Sequence, residues 1–220
     1  MGLPLQPSTG WWQHPVARGL LMVLALLLGL AALGWIGVQR RAPSELIITG
    51  PDQPYAYPRA AERLIASAKK RVWVMQYVIR PDDDGVVQGL LQALVEAHER
   101  GLEVRVGLDK GLLYGTTKRD PKNDAAAEWL TKNGIQVVWD EQDRTSHAKI
   151  LLVDDQVAII GSHNWTRAAL TGNREVSLLV TDPEQVGQIR SLVMGLPGWS
   201  APAGGHDPSL PDRPQTIQHK

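Results

Sequence analysis

The longest uninterrupted apolar stretch runs from Gly19 to Val38, twenty residues without a charge. At helical rise it is about 30 Å long, enough to cross a hydrocarbon core. Arg18 precedes it, Arg40 and Arg41 follow it, and Trp11, Trp12 and Trp35 lie near the expected interfaces. No small-x-small cleavage pattern follows before Arg40, which favours an uncleaved single-pass anchor over a signal peptide. The expected order is a tail over 1–18, a transmembrane anchor over 19–38 and a linker over 39–45. The few flanking cations do not decide which side of the membrane receives the rest.

Beyond the linker the apolar period alternates between that of strands and that of helices. Leu46-Ile47-Ile48 reads as a first strand. Between Pro58 and Lys70, Ala61, Leu64, Ile65 and Ala68 fall at i, i+3, i+4 and i+7, the spacing of an amphipathic helix. Arg71 to Ile79 reads as a buried strand, ended by Pro81 and three aspartates that can cap the next helix. That helix runs from about Gly85 to Arg100, with Val87, Leu90, Leu91, Leu94 and Val95 as its stripe and Gly101 at its end. Leu102 to Leu108 is a strand, and 109–123 a polar loop long enough to suggest function. A short helix over Asp124–Lys132 and a strand over Ile135–Trp139 come next.

Ala148–Val153 and Val157–Ile160 then read as a hairpin of two buried strands. If Asp155-Gln156 is its turn, Asn164 lies opposite His147 and Ser162 opposite Lys149; a turn one residue different shifts that register. Glu175–Val180 is a further strand and Pro183–Leu196 a closing helix. The alternation predicts an α/β sandwich with a mixed sheet over 46–196. The Pro- and Gly-rich stretch 197–220 reads as a disordered tail.

The chain contains no cysteine, which removes disulfides, thiolate catalysis and Cys-type zinc sites. Formal charge is zero, but residues 1–41 hold three arginines and no acid, leaving 46–196 and its flanks slightly acidic. A nucleic-acid binder usually shows a clear basic excess. The local excess is Lys110, Lys118, Arg119 and Lys122, in the one long loop.

The candidate chemistry lies at the hairpin. His147-x-Lys149-x4-Asp154 is followed by Gly161-Ser162-x-Asn164. A neutral imidazole is a nucleophile near neutral pH, while an ammonium, a hydroxyl and an amide can hold phosphoryl oxygens. Strand parity puts His147 and Lys149 on one face and Asp154 on the other. With Trp165, Thr166, Asn173 and Glu175 added, the chain resembles the phospholipase D superfamily, in its single-motif, nuclease-like and cardiolipin-hydrolase-like branch.

That resemblance implies a phospholipase D-like fold and a two-step displacement. His147 would attack phosphorus and form a phosphohistidine, with Lys149, Ser162 and Asn164 binding the phosphate. Glu175 would accept a hydrogen bond from the other ring nitrogen, Asp154 and Gly161 would be structural, and no metal or cofactor would be needed. A second motif histidine would protonate the leaving oxygen. One copy of the motif is present, and His163 lies off the pattern, so a homodimer sharing one active site is expected. His14, His98, His206 and His219 read as solvated. The expected activity is that of a membrane-anchored phosphodiesterase acting on phospholipid. A metal-independent endonuclease and a non-catalytic phosphate-binding scaffold remain as alternatives.

Overall fold

The computed structural model describes residues 15–39, 44–83, 85–112, 116–141 and 144–199, with side chains of 31–39 not described. Two units, Met1–Ala42 and Pro43–Lys220, are compact in themselves. The first contains helix α1, Pro15–Gln39, within which the predicted anchor falls. The side chains of 31–38, the second part of that span, lie outside the described residues. Among the described residues no helix is long and apolar enough to cross a membrane.

The second unit is built on a seven-stranded sheet. Its strands are β1 (Glu45–Thr49), β2 (Arg71–Gln76), β3 (Glu103–Leu108), β4 (Gln136–Trp139), β5 (Lys149–Val153), β6 (Val157–Gly161) and β7 (Glu175–Val180). They lie in the order β1-β7-β6-β5-β2-β3-β4. Strands β2, β3 and β4 are parallel, linked through helices α3 (Val86–Glu99) and α4 (Asp124–Lys132). The other pairings are antiparallel, so the sheet is mixed, as the alternation of periods predicts. The remaining helices are α2 (Ala56–Ser67), α5 (Arg167–Thr171) and α6 (Pro183–Met194).

Alternation along each strand divides the core between two faces. Val72, Val74, Val106, Leu151 and Ile159 face one side and pack against Ile65, Leu90, Leu91, Leu94 and Leu130. Trp73, Met75, Ile150, Leu152 and Ala158 face the other and meet Val186, Val193, Leu196 and Trp199. Each fully buried Leu, Ile or Val contributes about 1.5–3 kcal/mol. The helical stripe read in the sequence is the buried face of α3, where Val87, Leu90, Leu91 and Leu94 are fully enclosed. Asp82, one of the three aspartates before it, caps that helix: its Oδ1 accepts from the Val87 and Gln88 amides at 2.9 and 3.0 Å.

Three expectations need correction. The strand expected to run to Ile79 ends at Gln76, because the chain beyond it leaves the ladder and bridges Trp165 through Ile79. The hairpin register is shifted by one residue. Val153 pairs with Val157 and Ile150 with Ile160, so the connection is Asp154-Asp155-Gln156. Asp154 and Asp155 both have positive φ, 55° and 57°, and the Gln156 amide donates to the Val153 carbonyl at 3.0 Å, as in a primed turn. Continued toward the site, this register sets Lys149 against Gly161 rather than Ser162. Finally, the stretch predicted as a disordered tail from 197 has its start packed onto the domain through Trp199. Trp199 is buried edge-on against Trp73 at 5.3 Å, and its carbonyl accepts a hydrogen bond from Arg105. Gly107 makes room for it, since a Cβ there would lie 2.4 Å from Leu196 and 3.2 Å from Trp199. Residues 200–220 lie outside those described.

Candidate active site

The sheet brings the motif residues other than Asp154 to one edge, where strand ends meet. Strands β2, β3 and β4 end there with their carboxyl termini, the usual location of ligand sites in open α/β sheets. Strand β5 starts there at Lys149, β6 ends there at Gly161, and β7 starts there at Glu175. After β6 the chain crosses to β2. The Trp165 amide donates to the Val78 carbonyl at 3.0 Å, and the Trp165 carbonyl accepts from the Arg80 amide at 2.9 Å. Trp165 is fully buried, its indole donating to the Tyr57 hydroxyl at 3.2 Å, so Ser162, His163 and Asn164 are carried across this edge on a fixed path.

His147 is exposed and Lys149 is buried beside it. The lysine Nζ lies 3.0 Å from Nδ1 and 3.2 Å from Nε2 of the imidazole, and donates to the His147 carbonyl at 2.7 Å. Among the described residues no carboxylate forms an ion pair with this ammonium. Desolvation lowers its pKa, against an opposing pull from Glu175 and Asp109. The His147 pKa is also held below its ordinary value, by desolvation first and then by the Lys149 charge, with Asp109 opposing and Lys122 reinforcing. Both effects favour the neutral ring, the state in which a ring nitrogen has a lone pair to give.

Ser162 donates to Glu175, and Asn173 Nδ2 donates to the other Glu175 oxygen at 3.0 Å. Glu175 was expected to accept from the His147 ring; within one chain its hydrogen bonds go to Ser162 and Asn173 instead. The Asn164 Oδ1 is buried and has no hydrogen-bond partner among the described residues. Gly161 is required by close packing. A Cβ there would lie 2.4 Å from the Val176 carbonyl oxygen and 2.5 Å from the Ser177 Cα, both backbone atoms.

Asp154 sits at the opposite end of β5. Its carboxylate accepts from the amides of Lys69, Lys70 and Arg71 at 2.8, 2.7 and 2.9 Å, tying the end of α2 and the start of β2 to the hairpin turn. Burial opposes its charge, but these backbone bonds outweigh that and depress its pKa. His163 is enclosed. Its ring nitrogens lie 2.7 Å from the Ser177 hydroxyl and 2.9 Å from the Thr49 hydroxyl, and the ring stacks on Tyr57 at 4.5 Å. Burial pushes its pKa down to about 4.

Four residues at this edge escape motif reasoning: Tyr77, Asp109, Lys122 and Asn123. Asp109 is buried directly after β3, and its Oδ2 accepts from Lys122 Nζ at 2.6 Å. Asn123 precedes α4 and looks like an ordinary cap, yet its side chain makes no cap bond. It donates to the carbonyls of Tyr77 and Asp109 at 3.0 and 2.9 Å and accepts from the Ile79 amide at 2.9 Å. The available signal was an acid at the carboxyl end of a parallel strand followed by a long loop. Of the basic residues in that loop, Lys122 is committed to Asp109 and Arg119 to Asp124, while Lys118 is exposed.

Comparison with known proteins places this arrangement. A mitochondrial cardiolipin hydrolase of Homo sapiens is 38% identical over 89 residues, 40% of this chain and 32% of that protein. A probable cardiolipin synthase of Bacillus subtilis is 26% identical over 147 residues, 64% of this chain and 27% of that protein. The match spans about a third of the length of the mammalian hydrolases. In fold, the chain is similar to the phospholipase D family member Nuc from Salmonella typhimurium. That likeness has a TM-score of 0.55 at 23% identity and covers 69% of this chain and 93% of the other. NucT from Helicobacter pylori gives 0.54 at 19% identity, over 70% and 94%. The family described as "Cardiolipin synthase, PLD-like domain" matches residues 62–194, more than half of the chain and all of the motif, so the chain belongs to the phospholipase D superfamily.

Proposed function

We propose that the chain is a phosphodiesterase that hydrolyses phospholipid through a phosphohistidine. The observation that carries the reading is the buried Lys149 ammonium, unpaired by any carboxylate among the described residues, 3.0 Å from an exposed imidazole. An uncompensated buried cation is costly unless an anion comes to it, and this one is placed where a phosphoryl group attacked by His147 would build charge.

His147 gives its ring lone pair to phosphorus, and the bond from phosphorus to the leaving oxygen breaks. A second, protonated histidine supplies that oxygen's proton, then takes one from the water that opens the phosphohistidine. Lys149, Ser162 and Asn164 hold the non-bridging oxygens as their charge grows. The second ring comes from His147 of another copy, in a two-fold dimer with one shared site. Across that axis Glu175, which does not bond to the ring of its own chain, is available to the ring of the other. Asp154 and Gly161 serve the frame that holds these groups.

Phospholipid is favoured over nucleic acid because Lys122 and Arg119, two of the four cations in the loop, are already paired with acids, which weakens the loop's attraction for a polyanion. The similar curated proteins are named for cardiolipin hydrolysis and synthesis. The apolar run 19–38 would anchor the chain as a single-pass membrane protein, and Leu46 and Ile48 on the edge strand β1, with Val176 on its neighbour β7, form an exposed apolar group.

The full chain should be offered labelled cardiolipin, phosphatidylcholine, single-stranded DNA and RNA in parallel, with EDTA present. Cleavage of lipid that His147→Ala abolishes is the expected result. Cleavage of nucleic acid alone would transfer the reading to an endonuclease, and turnover of none would leave a phosphate-binding scaffold.

A further inference from the structure

We infer that Asp109 and Lys122 are positioning residues for His147, holding its backbone through Ser146 and its ring through Tyr77. The inference rests on the reading of His147 as nucleophile and adds a device that the motif does not contain. His147 precedes β5, so no ladder hydrogen bond of that strand fixes it. Besides the Lys149 bond to the His147 carbonyl, Asp109 supplies a constraint from the other side of the histidine. Its Oδ1 accepts from the Ser146 amide at 2.8 Å, one residue before the histidine, while the Ser146 hydroxyl donates to Asp140. Its Oδ2 takes Lys122 Nζ at 2.6 Å, and that ammonium lies 4.1 Å from the centroid of the Tyr77 ring. Tyr77 in turn packs on the His147 ring, with centroids 4.3 Å apart and planes at 53°. Lys149 Nζ lies 4.9 Å from the Tyr77 ring centroid.

The energetics favour this role over simple stabilisation. The Asp109 side chain is fully buried and that of Lys122 is 8% exposed. Such a pair gives back in attraction about what it loses in desolvation, so it is weak support for a fold. Its bonds to Ser146, and its cation against Tyr77, converge on the segment that must aim a nucleophile. A misplacement of about 1 Å can cost about 100-fold in rate.

The test uses the full chain carrying Asp109→Asn, Lys122→Gln, Tyr77→Leu or Tyr77→Phe, with bis(p-nitrophenyl) phosphate as diester and thermal melting as the check on folding. Asp109→Asn should lower kcat by about 100-fold with KM little changed. Tyr77→Leu should lose more than Tyr77→Phe, which keeps the ring. In substrate-free protein the NMR titration midpoint of the His147 ring should fall in Asp109→Asn and rise in Lys122→Gln, because the acid favours the protonated ring and the lysine opposes it. A folded Asp109→Asn chain with unchanged kcat and an unmoved His147 midpoint would overturn the inference. If that variant does not fold, equal losses in the two Tyr77 variants would overturn it instead. Wild-type protein that cleaves no diester would defeat the proposed function, while the NMR arm would still report whether Asp109 and Lys122 act on the His147 ring.

Discussion

The ammonium of Lys149 lies 3.0 Å from Nδ1 of His147 and 2.7 Å from the carbonyl oxygen of the same residue. With one residue, Ala148, between them in an extended segment, both side chains point to the same face, and the cation is held against the ring instead of reaching solvent. The lysine thus disfavours protonation of the imidazole, and in the proposed mechanism the same ammonium receives the phosphoryl anion.

From that pairing follows an acid limb below the ordinary histidine range. As pH falls through the lowered His147 pKa the ring gains a proton and loses its nucleophilic lone pair, so kcat/KM falls. Lys149→Met should move this limb to higher pH and reduce kcat by about 100- to 1,000-fold through loss of phosphoryl charge stabilisation. A pH–rate profile of both proteins checks the two effects; a limb at or above pH 6.5 in the wild type would contradict the electrostatics.

Stability should depend on pH through His163. Its folded pKa, about 4, lies below the unfolded value of about 6.5, so the unfolded chain binds the extra proton between these limits. The contribution is therefore fully present above about pH 6.5 and is lost as pH falls toward 4, on the order of 3 kcal/mol in all. Urea titrations from pH 7 to pH 4.5 should show this slope, and His163→Asn should flatten it.

Removing the Asp154 carboxylate leaves three backbone amides at the α2–β2 junction without their acceptor. Asp154→Ala should cost roughly 2–4 kcal/mol by denaturant unfolding. Rate per folded molecule should change far less than with Lys149→Met, because the carboxylate lies at the far end of β5. An equal loss of kcat in the two variants would argue that Asp154 has a part in the chemistry.

Trp199 closes the second face of the core against Trp73. Trp199→Ala should destabilise the chain by about 3–5 kcal/mol. Thermal melts of chains ending at 199 and at 196 should differ by a comparable amount, whereas a tail beginning at 197 would leave them alike.

Legibility in the sequence followed the range of the forces involved. The α3 stripe, the buried hairpin strands and the alternation that yields a mixed sheet are local, since periodicity over a few residues decides which face meets the core. The His147 and Lys149 pairing belongs with these, because parity alone puts them on one side. The hairpin register did not, since one residue in or out of the turn is invisible until Asp154 and Asp155 adopt positive φ. Trp199 was misread because composition near prolines and glycines says nothing about a hole opened by Gly107 on a strand ninety-odd residues earlier.

By itself the sequence determined the order of the strands and of the longer helices, though not the short α5, and it determined the superfamily and the candidate residues for chemistry, because strand and helix periods and motif spacing are carried by neighbours along the chain. Only the tertiary structure decided that Asp109, Lys122 and Tyr77 surround His147, that Glu175 turns to Ser162 and Asn173, and that His163 is core. Those outcomes depend on which strand ends meet at one sheet edge, and that is set by burial summed over the whole domain, where no short window of residues can register it.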